Sequence, residues 1–502
     1  MTIYNLNLGI GWASSGVEYA QVYRANIFKK LQEPAKFVFM DMIQAENIAH
    51  LTRNIGFEDS DVIWLYTHFT DVKIAPTTYT LSDIKKSMGL PVSNEENMGK
   101  SIRLHYSDQD MFVTCYLTNE SSDTIDRAEF VSRGNLVRKD FYNYTRMYSE
   151  YYTPRDNRAY LYQRNFFNED GTVAYEEIID GTSSIYKFKD QIFMSKEAFI
   201  GYFLDTLNLT RKDILIVDRE TGLGQAVLEH KGEAQTAVVI HAEHFSPTEV
   251  YNDTILWNNY YDYQLTNADA FKHFITATEV QKSVLVEQLQ KYTNVSPRIH
   301  SIPVGSIDIL QKTRKKRRPF SLITASRLAG EKHIDWLVMA VAQAQKVLPE
   351  LSLDIYGQGG EQEKLKELIK ELGAEDYIHL MGHEDLTEIY KNYECYIAAS
   401  TSEGFGLSLL EAIGSGLPII GLDVRYGNQT FVDNNKNGYL LPRKLPDNAQ
   451  EMAKDFAEKI IQMYTEVDLA KWRKHSYEKA KPYLTTNVGK LWQAFIEEVT
   501  HD

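Results

Sequence analysis

Two glutamates with seven residues between them, Glu403 and Glu411, enclose a glycine-rich run in STSEGFGLSLLEAIGSGLP at 400–418. An apolar stretch, CYIAAS at 395–400, precedes them and reads as a strand. Glu403 is thereby placed in a loop at a strand's carboxyl end, where doubly wound sheets bind their ligands. Gly404 and Gly406, on either side of Phe405, let backbone come close to a ligand. A helix starting near Leu407 would aim free N–H groups at a pyrophosphate. Glu411, about one turn into that helix, points back toward the same mouth, where a carboxylate accepts two ribose hydroxyls. Spacing alone fits a glycine-rich strand-to-helix turn with a solvated glutamate equally well.

Arg327 and Lys332, in SRLAGEKHIDW at 326–336, follow the strand-like FSLITAS at 320–326 and bring two cations to the same kind of edge. In a chain of formal charge −15 such a pair suggests a phosphate clamp. Taken alone, a solvated Arg and Lys at a helix start is the simpler reading. His241 ends the apolar run AVVIH, and with His244 it forms a His-x-x-His pair. No third ligand cluster accompanies the pair, so zinc is a weak reading. The triplets Asp59-Ser60-Asp61 and Asp108-Gln109-Asp110 invite a manganese reading, but about two such triplets are expected by chance at this length and composition. No metal is predicted.

The elements that must position these residues fall into two series. Ile3 to Leu8, a turn from Gly9 to Gly16, a helix from Val17 to Lys30 and a strand at Phe37 to Met40 open an α/β unit. The rhythm then breaks, and from about 70 to 210 short alternating runs separated by turn residues predict an antiparallel meander. It resumes at Asp213 to Val217, Ala237 to His241, Phe274 to Thr276 and Ile299 to Val304. A second series comprises FSLITAS, LSLDIYG at 351–357, YIHLMG at 377–382, CYIAAS and LPIIGLD at 417–423, each expected to precede a helix. The fold class predicted is α/β, with two facing Rossmann-like domains and an antiparallel β-meander inserted in the first.

Composition narrows the function. Lys and Arg number 54 against 69 Asp and Glu, which argues against nucleic acid as a partner. Two distant cysteines, Cys115 and Cys395, make no disulfide framework and suit a reducing compartment. There is no signal-like start and no run of 18 apolar residues, so a cytoplasmic protein is expected. The glycines Gly9-x-Gly11 lack the third glycine of a dinucleotide fingerprint.

EGFGLSLLEAIGSGLP, SRLAGEKHIDWL, DIYGQGGEQEKLKELI and DNNKNGYLL resemble the retaining nucleotide-sugar glycosyltransferases of the two-Rossmann-domain (GT-B) type over most of 320–480. More narrowly, and over nearly the whole chain, the sequence resembles the family of accessory Sec system O-linked N-acetylglucosaminyltransferase catalytic subunits, the GtfA type. That likeness rests on MTIYNLNLGIGWASSGVEYAQVYRA, VIWLYTHFTDVKIAPT, VVIHAEHF, WNNYYDYQ, IPVGSID and RYGNQTF. His333 stands where many relatives carry Gly. The resemblance implies transfer of N-acetylglucosamine from UDP-GlcNAc to Ser/Thr hydroxyls of a serine-rich repeat adhesin, with a non-catalytic sister subunit. It also implies site roles. Gly16 and Val17 would approach the diphosphate, and Arg327 and Lys332 would hold it in place of a metal. His241 and the run Glu403, Gly404, Phe405, Gly406 and Leu407 would hold the sugar. Glu411 would bind the ribose, and His383 and Glu384 would line the nucleobase pocket. Glu403, His241 and Glu411 are the residues expected to carry catalysis.

The domains expected are 1–70 with 210–305 as the acceptor-side Rossmann-like domain, and 70–210 as an add-on that docks the sister subunit. Residues 306–485 form the nucleotide-sugar domain, and 486–502 a helix packing back on the first. Residues 141–167, rich in Tyr, Phe and Arg, suit a partner surface or the packing of the insertion's own sheet. The basic run Lys312 to Arg318 reads as a solvated linker or, more weakly, as peripheral attraction to anionic lipid on the inner face of the membrane. Two other functions remain in view: an α-glycosyltransferase acting on teichoic acid, and a non-catalytic transferase-like stabilising partner. The intact Glu403, Glu411, Arg327 and Lys332 speak against the last.

Overall fold

The computed structural model describes residues 1–10, 16–218 and 221–501. Gly11 and most of the serine-bearing turn before Gly16 lie outside the described residues. The chain divides into two units, Met1–Ala237 and Val238–Asp502.

In the first unit, strand Ile3–Asn7 runs parallel to Ala35–Phe39 on one side and Ile214–Val217 on the other, with Val62–Trp64 beyond Ala35–Phe39. Helix Gly16–Leu31 provides the crossover between the first two. Its Arg24 reaches the buried carboxylate of Asp218, which also accepts a bond from Gln21 at 2.8 Å. Between these strands lies a ten-stranded antiparallel sheet whose order follows the sequence, from Asn94–Asn97 to Ile192–Phe193. This is the meander that turn-separated alternation predicts.

The packing of that sheet bears on the two readings of 141–167. Phe141 stacks on Tyr148 at 4.3 Å, Phe166 on Tyr175 at 4.4 Å and Tyr186 on Phe199 at 4.2 Å, and all six rings are buried. Arg164, also enclosed, bridges the buried carboxylates of Glu150 at 2.9 Å and Glu177 at 2.8 Å. Half of the segment's ten aromatic rings (Phe141, Tyr142, Tyr148, Phe166 and Phe167) are therefore buried in packing, four more are half-buried, and Tyr162 is left exposed.

The second unit carries a six-stranded parallel sheet in the order Ile378–Gly382, Ser352–Tyr356, Ser321–Ala325, Cys395–Ala398, Ile419–Leu422, Gly438–Leu441. In chain order that is 3-2-1-4-5-6, the doubly wound arrangement. Every residue of Ser321–Ala325 and Cys395–Ala398 is buried, as near-continuous apolar strands covered on both faces must be. The order reverses between these two central strands, and doubly wound sheets bind their ligands beyond the carboxyl ends of the strands at such a point. One expected helix is missing: after Ile378–Gly382 the chain makes only a turn and the short 3-10 helix Tyr390–Asn392. The same unit holds the parallel pair His273–Thr276 and Arg298–Ser301, linked by helix Glu279–Tyr292, and the C-terminal helix Thr485–His501.

The basic run is corrected by the structure. Lys312, Arg314, Lys315 and Lys316 are exposed, but Arg317 is buried. Its guanidinium donates to the carbonyls of Tyr393 at 2.7 Å and Ser415 at 2.6 Å, tying the starts of two central elements to the linker. Arg318 pairs with the buried Asp354 at 2.8 Å. Charge counting hides this, because a guanidinium can satisfy several carbonyls at once and so be buried without a carboxylate. Arg317→Met leaves those carbonyls unmet and is expected to lower unfolding free energy by about 2–3 kcal/mol, read from denaturant midpoints at constant slope.

Candidate active site

Beyond Ser321–Ala325 the chain makes the 3-10 turn Gly330–Lys332, and beyond Cys395–Ala398 it makes the loop carrying Glu403. The two loops meet. Lys332 Nζ lies 2.8 Å from Glu403 Oε2, with the two side chains 17% and 21% exposed. Thr401 N–H donates to the Glu331 carbonyl at 3.1 Å, a second tie between the loops. Arg327 projects into solvent and pairs with Glu331 at 2.9 Å. Both cations of the expected clamp therefore stand at the switch point, each resting against a carboxylate that an anionic ligand would have to displace or share.

Backbone contacts fix the Glu403 loop. The carbonyl of Glu403 accepts from the N–H groups of Tyr426 and Gly427, each at 3.0 Å. Gly406 has φ +86° and caps helix Leu407–Gly414, a conformation L side chains rarely adopt. Gly404 is required by proximity: a Cβ there would lie 2.4 Å from the His241 carbonyl oxygen. Gly404→Ala is expected to push the two loops apart and lower turnover about tenfold, since displacements on the scale of 1 Å cost one to two orders of magnitude. Unchanged single-turnover rates would remove that constraint. Phe405 behaves differently from its neighbours. Its ring is buried against Phe431 and Tyr483, so only its backbone is left for a ligand.

Glu411 occupies the second turn of the helix, and the Tyr390 hydroxyl donates to its Oε2 at 3.1 Å. Burial pushes its carboxyl up to about 7, with the Asp385 carboxylate adding to the rise and the Tyr390 hydroxyl opposing it. A buried carboxyl with one hydroxyl partner retains free acceptor positions, as a ribose diol requires. His383 and Glu384 are exposed in the loop after Ile378–Gly382, at the carboxyl edge of the same sheet.

His241 follows strand Gln235–Ile240, and its N–H and that of Ala242 donate to the buried Tyr261 hydroxyl at 3.0 and 3.2 Å. The Ala242 carbonyl accepts from Gln281 at 2.9 Å. These bonds set the half-buried His241 beside Gly404. His244 turns the other way, fully buried with Nε2 2.8 Å from Gln288 Oε1, and burial pulls it down to about 4. It is a neutral core imidazole. The Asp-x-Asp triplets are also placed by ordinary contacts: Asp59 makes a two-pronged pair with Arg53, and Asp108 lies in an exposed hairpin turn. In the first unit Gly16 is exposed at the start of its helix, whereas the Val17 side chain is buried.

Two residues of this neighbourhood escape sequence reasoning. Tyr426, almost fully buried, donates its N–H to the Glu403 carbonyl and its hydroxyl to the carboxylate of Glu243. Burial raises the Glu243 carboxyl above its ordinary range, opposed by the Tyr426 hydroxyl. The pair links the loop after strand Gln235–Ile240 to the Glu403 loop. Nothing in the spacing singles out Glu243, and RYGNQTF is noticeable only as a string shared with relatives. Elsewhere, in the first unit, a cavity of about 610 Å³ is lined by Asp41, Tyr66, Glu177, Tyr186 and Lys196 and contains none of the expected site residues.

Comparison with known proteins bears on this arrangement. Residues 94–190 match the family model described as GtfA extended beta-sheet domain, and 306–479 match Glycosyl transferases group 1. The chain is 56% identical over 503 residues to the UDP-N-acetylglucosamine–peptide N-acetylglucosaminyltransferase GtfA subunit of Streptococcus pneumoniae, covering 100% of both. It is similar to the crystal structure of the pneumococcal O-GlcNAc transferase GtfA in complex with UDP and GlcNAc, with TM-score 0.95, 55% identity and coverage of 100% and 99%. It is equally similar in fold to the crystal structure of a GtfA/B complex, with TM-score 0.95, 53% identity and full coverage of both chains.

Proposed function

The chain belongs to the family of UDP-N-acetylglucosamine–peptide N-acetylglucosaminyltransferase GtfA subunits, and we propose that it moves N-acetylglucosamine from UDP-GlcNAc to Ser or Thr hydroxyls of a serine-rich surface adhesin. A sister subunit of the kind in the GtfA/B complex works with it. The observation that carries the reading is the meeting of Lys332 and Glu403 at the switch point of a doubly wound sheet.

As the glycosidic bond breaks, negative charge grows on the departing UDP. Lys332 is positioned to meet it, Arg327 stands on the adjacent turn, and helix Leu407–Gly414 offers free N–H groups. Together they supply the charge that a metal supplies in other transferases, so transfer is expected to proceed without one. When Lys332 turns to the diphosphate, Glu403 is released to accept hydroxyl protons of the sugar. His241, held by Tyr261 through its backbone, closes the sugar side. Glu411 takes the ribose.

No helix among the described residues is long and apolar enough to cross a membrane. The reaction belongs in the cytoplasm, where nucleotide sugars are made. Four exposed cations, Lys312, Arg314, Lys315 and Lys316, support weak attraction to an anionic inner leaflet, worth about 1 kcal/mol each near the surface.

The test is transfer from a panel of UDP-sugars to a Ser-rich peptide, with EDTA, and with and without the sister subunit. Labelling from UDP-GlcNAc that survives EDTA and rises with the partner is expected. Hydrolysis of the donor without peptide labelling would move the acceptor toward teichoic acid. No turnover under any condition would overturn the enzymatic reading in favour of a stabilising partner.

A further inference from the structure

We propose that Glu243 is a positioning residue for the transfer reaction: through the Tyr426 hydroxyl it sets the place of Glu403 relative to His241. The inference rests on the function proposed above and deepens it, adding a second point of support to the sugar side of the site.

Two loops bound that side. One follows strand Gln235–Ile240 and carries His241 and Glu243, and the other follows strand Cys395–Ala398 and carries Glu403. They meet at Gly404, whose backbone lies against the His241 carbonyl with no room for a Cβ. One point of contact fixes a distance but leaves the loops free to pivot about it. A second point is supplied by the chain beyond strand Ile419–Leu422, where Tyr426 forms an isolated parallel bridge with Glu403. The N–H groups of Tyr426 and Gly427 both donate to the Glu403 carbonyl, each at 3.0 Å. A Cβ on Gly427 would collide with the Phe405 carbonyl oxygen and lie 3.1 Å from Glu403 Cγ, so this segment is pressed against the Glu403 loop.

The Tyr426 side chain then crosses to the other loop. Its ring, 1% exposed, stacks on His244 with centroids 6.4 Å apart, and its hydroxyl donates to a Glu243 carboxylate oxygen. A phenol donating to a carboxylate is a charge-assisted bond, stronger than one between neutral groups. Arg425 places a positive charge near the same carboxylate, with its guanidinium over the Phe245 ring at 5.3 Å.

Glu243 is anchored from behind. Its carbonyl accepts from Asn258 Nδ2 at 3.0 Å, and the Asn258 N–H donates to the His244 carbonyl at 2.9 Å. A continuous path of hydrogen bonds thus runs from Asn258 through Glu243 and Tyr426 to the Glu403 carbonyl. Lys332, Arg327 and Glu411, the groups assigned to UDP, take no part in that path. Cutting it is therefore expected to misplace Glu403 while nucleotide binding is kept. The competing account is a buried pair that only stabilises the fold.

Full-length Tyr426→Phe, Glu243→Ala and Glu243→Gln separate the two accounts, assayed with UDP-GlcNAc, a Ser-rich peptide and the sister subunit. Tyr426→Phe and Glu243→Ala are each expected to lower kcat about tenfold, with KM for UDP-GlcNAc and Kd for UDP within about twofold of the parent. Glu243→Gln keeps an amide oxygen that accepts from the phenol, so its kcat should stay within about threefold of the parent. Tyr426→Phe combined with Glu243→Ala should cost little more than either alone, because both delete one bond. Amide hydrogen exchange over 401–407 and 424–431 should quicken in Tyr426→Phe and Glu243→Ala and stay unchanged over 320–332. Normal turnover in both variants, or equal losses in Glu243→Gln and Glu243→Ala, overturns the proposal whatever the Tm. A parent chain that transfers alongside unaffected variants removes only the positioning role. A parent chain without turnover removes the transferase reading and the role with it.

Discussion

Lys332→Ala and Glu403→Gln are each expected to lower transfer from UDP-GlcNAc by about three orders of magnitude while the chain stays folded. Removing a single preorganised group that meets developing charge costs 10²–10³ in rate, about 3–4 kcal/mol of transition-state stabilisation. Here each change also disables its partner. Without Lys332, Glu403 at 21% exposure is left beside the incoming diphosphate with its cation gone, adding repulsion to lost attraction. Without the Glu403 charge, on the proposed roles, Lys332 would keep the diphosphate while the sugar would lose its acceptor. The two variants should therefore separate by ligand: Lys332→Ala weakens UDP binding and turnover together, whereas Glu403→Gln preserves UDP binding and loses kcat. The double variant should be only slightly worse than either single one, because residues acting as a unit are not additive. Melting temperatures within a few degrees of the parent would show that an ion pair this open to water contributes little to the fold. Turnover above a tenth of the parent in either variant would remove Lys332 and Glu403 from the centre of the mechanism.

Much of this site was legible because periodicity and glycine placement are local properties. Apolar runs located five of the six strands of the second unit's sheet to within two or three residues and left Gly438–Leu441 unread, and the run before Glu403 put that residue at a strand's end. What spacing could not supply was strand order. Only the pairing of Ser321–Ala325 with both Ser352–Tyr356 and Cys395–Ala398 brings Lys332 and Glu403 to the same switch point from 71 residues apart. Composition failed where burial reverses a residue's usual habit. Arg317 looked like linker charge and is a buried clamp on carbonyls, while Phe405 sat among expected ligand residues and packs inward. Tyr426 and Glu243, 183 residues apart, show a further limit, since a buried tyrosine and carboxyl have no local pattern in common.

Glu411 should make UDP binding proton-linked near neutral pH. Its carboxyl is raised from 4.5 to about 7 by burial in the unliganded chain. Between those values the folded chain keeps a proton that the unfolded chain has released. Stability from this group is therefore fully present below about pH 4.5 and is lost as pH rises through 7, by about 3 kcal/mol in total. Ribose hydroxyls donating to the carboxylate favour its charged form and pull the pKa back down. At pH 7, where roughly half of the free chains hold the proton, UDP binding should release up to about half a proton. Calorimetry in two buffers of different ionisation enthalpy measures that number directly. UDP affinity should climb with pH from 6 to 8 and then level, as the carboxylate no longer has to be deprotonated on binding. Glu411→Gln separates function from stability: it should weaken UDP by about 10–100-fold, abolish the proton release, and yet raise Tm at pH 8, because an amide at this position removes a buried charge. Rescue of affinity by low pH in the variant is not expected, since Gln has no proton to gain. If UDP binds the Gln variant as tightly as the parent, or binding releases no proton at pH 7, Glu411 is a core residue braced by Tyr390 and the ribose is held elsewhere.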